Sequence, residues 1–135
     1  MNPLLPFSLL LLAACAAPSA GLAGKWRVQE AGSAAVAGRI TIEFQQDGLF
    51  VADGGCNHAS GRYRQSGGWL SMSAGFTEKA CAAPLMRLDD RLAAAVRQTV
   101  SYRISGTQLE WLDENGNTVL KARRAENADK QAVAD

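Results

Sequence analysis

From Lys25 to Arg123 the apolar residues recur mostly at every second position, and that period restricts the fold more than any other feature. Successive side chains of a strand point to opposite faces, so period two marks half-buried strands. Trp26 and Val28 alternate with Lys25, Arg27 and Gln29, while Ile40, Ile42 and Phe44 alternate with Arg39, Thr41 and Glu43. Gln46-Asp47-Gly48 then turns the chain into Leu49-Phe50-Val51-Ala52, which reads as a hairpin partner. Gly61 to Gln65 and Trp69 to Ser73 form two further short strands joined through Ser66-Gly67-Gly68. Val100 to Ile104, Leu109 to Leu112 and Thr118 to Arg123 follow, with Asn115-Gly116 as a two-residue hairpin signal. Trp26, Trp69 and Trp111 all fall on these strands, which predicts core packing, with a ligand platform as the alternative.

One segment departs from this rhythm. After Pro84, the residues Leu85, Leu88, Leu92, Ala95 and Val96 recur at helical spacing, with Arg87, Asp90, Arg91 and Arg97 opposite. Proline suits a first helical turn because its missing N–H would find no partner there. The pattern predicts one amphipathic helix on an otherwise antiparallel β fold. The fold class is therefore α+β: a curved sheet or open barrel-like cup with one helix packed against it, a sandwich being the alternative.

The N-terminus carries an address. Residues 4 to 14 are apolar apart from Pro6 and Ser8, too short for a span of about 20 residues but suited to a secretion signal. Leu12-Ala13-Ala14-Cys15 resembles the bacterial lipobox, which implies acylation of Cys15 and cleavage before it. Ala16 stands where an inner-membrane retention signal would place Asp, so the resemblance implies an outer-membrane anchor facing the periplasm. The alternative is an ordinary secretory signal cleaved near Ala17 or Ala20. The expected organisation is a signal peptide over 1–14, a tether over 15–23, one domain over 24–124 and an unstructured tail over 125–135.

Cys56 and Cys81 are then an even pair in an oxidising compartment, and a disulfide is the first reading. Zinc binding by Cys56, His58 and Cys81 would have only three ligands. A Cys56–His58 nucleophile and base would lack a group to orient the imidazole. Asp89 and Asp90 are adjacent, so on a helix they diverge by roughly 100° and share no acid/base site. No phosphate loop or Ser/His/Asp set is apparent, and neither a cofactor nor an enzymatic role is expected. A formal net charge of +1 over 135 residues gives no footprint for nucleic acid.

Several short strings together resemble one family. Gly24-Lys25-Trp26 opens the first strand; Gly55-Cys56-Asn57 precedes Ser60-Gly61-Arg62-Tyr63; Thr77 and Ala80-Cys81 precede the helix; Tyr102 to Gly106 leads to Leu109. In order and spacing they resemble the META domain of HslJ-like heat-shock lipoproteins, from about Gly24 to Lys121. Members often carry Met-Thr-x-Met-Ala-Cys where this chain has Phe76 to Cys81, and an aromatic where it has Ala59. The resemblance implies a cup-like antiparallel β structure holding a helix, similar in shape to the small lipoproteins that pilot secretins. It marks Gly24, Trp26, Gly55, Asn57, Gly61, Tyr63 and Gly106 as motif residues and supplies no catalytic ones. Members are associated with heat shock, novobiocin resistance and, in trypanosomatid relatives, motility or secretion. The expected function is a monomeric, non-enzymatic envelope lipoprotein that binds an envelope or secretion protein. The alternatives are a carrier of an apolar ligand in the cup and an inhibitor of a hydrolase such as lysozyme.

Overall fold

The computed structural model describes residues 21–36 and 38–125. Cys15, the signal segment and the tail beyond Ala125 lie outside the described residues. The strands are β1 (Gly24–Ala31), β2 (Ala34–Ala35), β3 (Thr41–Phe44), β4 (Leu49–Asp53), β5 (His58–Ser66) and β6 (Trp69–Phe76). Helix α1 (Ala83–Gln98) comes next, followed by β7 (Ser101–Ser105), β8 (Gln108–Leu112) and β9 (Thr118–Arg124). Every pairing is antiparallel, and β9 returns to β1, so eight strands close into a barrel with β2 as a short flap on β1. Closure removes the free edges that an open sheet would present.

Closure is thinnest between β6 and β7. Among the described residues these strands share a single pair, Trp69 with Ser101. The chain between them forms α1, which lies across the mouth and contacts β1, β6 and β9. Leu92, Ala95 and Val96 enter the core from the helix. Pro84 sits in its first turn, and Thr99 ends it by donating from Oγ1 to the Ala95 carbonyl at 2.6 Å.

The registers define two rims. Gly24 faces Phe44, Trp26 faces Arg124, and Arg123 faces Gln108. The start of β1, the end of β9 and the β3–β4 and β7–β8 turns therefore share one rim. β5 runs on past Leu49, the start of β4, and carries the β5–β6 hairpin to that same rim. The β4–β5 corner, the β6–α1 connection and the β8–β9 turn lie at the other, beside the helix.

Inward side chains fill the barrel. Trp26, Trp111, Phe44, Phe50, Leu70 and Leu109 are buried. Phe44 meets Tyr63 edge-on with centroids 4.9 Å apart, and Trp111 at 6.1 Å. Trp69 differs from the expectation of core packing: it is 66% exposed, while Leu70 beside it is buried. Both are apolar, so alternation alone left the register open, and the Gly67-Gly68 turn sets Trp69 outward. The β8–β9 connection also differs, because Leu112 pairs with Thr118 and the turn spans Asp113 to Asn117. The Asp113 carboxylate accepts from the N–H groups of Asn115 and Asn117, each at 2.9 Å, which favours the longer turn.

Candidate functional site

The richest polar cluster lies where the β4–β5 corner meets α1. Asp89 is on the buried stripe of the helix and only 6% exposed. Its carboxylate accepts from the Asn57 N–H at 3.0 Å, the Asn57 Nδ2 at 2.9 Å and the Cys56 N–H at 3.3 Å. The Asn57 Oδ1 in turn accepts from Thr77 Oγ1 at 2.9 Å and the Lys79 N–H at 2.6 Å. The Asn57 Nδ2 also reaches the Lys79 carbonyl at 3.2 Å, and Thr77 Oγ1 accepts from the His58 N–H at 3.0 Å. One carboxamide thus joins three segments: the corner, the strap over residues 77–80 and the helix.

The glycines before Asn57 make this approach possible. A Cβ on Gly54 would stand 2.4 Å from Asp89 Oδ1, so any side chain there would push the helix away. Gly55 takes φ +112 against Leu88, a conformation open to glycine at little cost. Cys56 is joined to Cys81 by a disulfide, with Cα atoms 6.0 Å apart, just before a helix whose N-cap Ala82 makes no side-chain bond. The covalent link fixes the residue before the helix, and the Asn57–Asp89 network fixes the helix further along.

This arrangement is structural rather than reactive. The cysteines are consumed in the disulfide, and the Asp89 oxygens are filled by donors. His58 points outward from the start of β5, with Nδ1 4.0 Å from the exposed Asp53 carboxylate. Among the described residues no group of three or more His, Cys, Asp or Glu side chains is placed to hold a metal. None of their helices is long and apolar enough to cross a membrane.

The other motif residues sit elsewhere. Trp26 donates from Nε1 to the Leu22 carbonyl at 2.8 Å, and the Arg124 guanidinium stacks 4.1 Å above its ring. Arg124 also donates to the carbonyls of Ala23 and Gly21, at 3.0 and 2.8 Å. Leu22, just ahead of β1, is itself buried. Gly24 pairs with Phe44 at the rim. A Cβ on Gly61 would lie 1.8 Å from the Ser73 carbonyl, which only glycine accommodates. Tyr63 packs on Phe44 and donates its hydroxyl to the Gln45 carbonyl. Burial first, then the charge of Asp47 and the neighbouring Tyr102, pushes the Tyr63 phenol above its ordinary value of 10.0. Gly106 forms the β7–β8 turn.

At the clasp, an open groove of ≈ 470 Å³ runs between the strap and the flank of α1 that carries Met86, Asp89, Asp90 and Ala93. Phe76, Met86 and Ala93 supply apolar walls, with Glu78, Lys79 and Asp90 at its margins. A family model for the META domain matches residues 20–126. The chain belongs to the META domain family. META domains are not known as an enzyme family. No curated protein matches the chain. Solved structures share its fold. A protein solved by NMR is 20% identical over 78% of this chain and 92% of its own, with a TM-score of 0.62. Another, from Burkholderia xenovorans, is 23% identical over 76% and 82%, with a TM-score of 0.58. A DUF4847 family protein from Bacteroides vulgatus is 14% identical over 77% and 94%, also at 0.58. At these identities they testify to the fold alone.

Asp89 is the site residue that sequence reasoning missed. Considering it only as half of an Asp-Asp pair hid a signal in the helical spacing. It stands four residues after Leu85 and three before Leu92, inside the apolar stripe. A carboxylate there needs buried donors.

Proposed function

We propose that this META domain is a lipid-anchored envelope protein that holds a protein partner and catalyses no reaction. The lipobox at Leu12 to Cys15 supports the anchor and the periplasmic face of an outer membrane. The observation that carries partner binding is the groove between the strap and α1. It pairs apolar walls with charged margins, as protein-binding surfaces do. Its strap is pinned by the disulfide and by Asn57, so a partner meets a surface that is already shaped. An apolar ligand inside the barrel would have to displace Trp26, Phe44 and Trp111, and this favours the surface over the carrier reading.

Site-specific photo-cross-linking in the intact envelope tests the proposal. A photoreactive residue at Glu78, in the groove, is expected to capture one reproducible protein. The same residue at Glu114, on the β8–β9 turn, is expected to capture it weakly or not at all. Absence of a reproducible adduct from Glu78, or equal yields from both positions, would overturn it.

A further inference from the structure

The rim opposite the helix gathers features that point to one partner. The N-terminal segment enters there, fixed through Leu22 and the Arg124 contacts to Gly21 and Ala23. The β5–β6 hairpin reaches the same rim and carries Trp69, the most exposed large apolar side chain among the described residues. Basic residues are spaced around the rim: Arg64 lies beside the hairpin, while Lys25 near the start of β1 and Arg123 and Arg124 at the end of β9 stand across the barrel from Trp69. Asp47 is the carboxylate on the turns of this rim. Glu43 stands opposite Lys25, and Glu110 is bound to Arg103.

We propose that this rim is a lipid-facing surface, with Trp69 seated among the headgroups of an anionic bilayer and Arg64 and Arg123 against their phosphates. Indole favours the membrane interface because its ring is apolar while its N–H remains hydrogen-bonded. Each arginine held near an anionic surface strengthens binding about fivefold. Chain length agrees with this orientation. Cys15 is six residues from Gly21, and six extended residues span about 20 Å. Acylation of Cys15, which belongs to the function proposed above, would therefore hold this rim within reach of the headgroups. The helix and its groove would then face away from the membrane.

Trp26 and Trp111 are buried, so Trp69 is the indole open to a quencher at the membrane. The full chain is to be reconstituted in phosphatidylcholine vesicles containing brominated phosphatidylglycerol, and in vesicles where brominated phosphatidylcholine is the only lipid. Loss of most Trp69 emission is expected in the first and a smaller loss in the second, with Trp69→Phe removing the quenchable component. The double variant Arg64→Glu with Arg123→Glu, both exposed, is expected to restore emission while the chain stays on the vesicles. A vesicle-bound chain whose Trp69 is unquenched, or quenched equally in both vesicles, would overturn the lipid-facing rim and leave anchoring intact. A chain that does not associate with vesicles at all would overturn both.

Discussion

At the helix-bearing rim a carboxylate, a carboxamide and a disulfide hold the chain together, whereas at the opposite rim an indole and a guanidinium do. The first set joins segments that have no ladder between them: the β4–β5 corner, the strap and the start of α1. Directional bonds and a covalent link suit that task, because short loops bury little apolar surface. The second set seals strands already paired, β1 with β9. There the broad faces of Trp26 and Arg124 add contact area to an existing ladder. Each rim uses the chemistry that its backbone leaves lacking.

The largest expected effect breaks the indole side of this comparison. Trp26→Ala removes a wholly buried ring, its bond to Leu22 and the surface on which Arg124 rests. It should cost about 4 kcal/mol, read as a lower urea midpoint. A loss below about 1 kcal/mol would mean that the rim is held by its ladders alone.

Next comes the clasp. Asp89→Ala leaves the Asn57 and Cys56 donors buried without an acceptor, a loss of about 3 kcal/mol. Loss of the disulfide through paired Cys56→Ala and Cys81→Ala should cost about 3 kcal/mol as well. Both hold α1 and the chain before it to the same β4–β5 corner, so the combined loss should fall short of the sum, and a double-mutant cycle measures the difference. Strict additivity would show that Asp89 and the disulfide hold independent pieces.

The smallest effect sharpens the boundary between the rims. Tyr63→Phe removes the hydroxyl bond to Gln45 while keeping the ring on Phe44, at a cost of about 1 kcal/mol. The folded phenol has its pKa raised above 10.0, so its contribution is full at lower pH. Stability should fall as pH rises through 10, because the unfolded chain releases this proton first. In Tyr63→Phe that alkaline component should vanish from unfolding curves taken at successive pH values. An unchanged alkaline slope would assign the effect to other groups.

Much of this architecture can be read in the sequence, for identifiable reasons. Ile40, Ile42 and Phe44 alternate strictly, and such a run places a strand and its buried face without further information. Leu85 to Val96 does the same for the helix. Period two reports faces but not curvature, so it leaves closure of β9 onto β1 unstated. It also fails where two apolar residues adjoin, and Trp69 beside Leu70 is the instance that matters here. Asn57 is marked by the string Gly55-Cys56-Asn57, which does not say what the carboxamide binds. Its partner is a carboxylate 32 residues away, and neither the string nor the helical spacing pairs the two.

The Arg124 clasp on Gly21 and Ala23 has a mechanical consequence. Tension that reaches β1 along its own axis meets antiparallel partners on both sides. A pull in that direction loads the β1–β3 and β1–β9 ladders in shear, so many hydrogen bonds resist together instead of opening one by one. Against such a pull the two ladders of β1 would act as one.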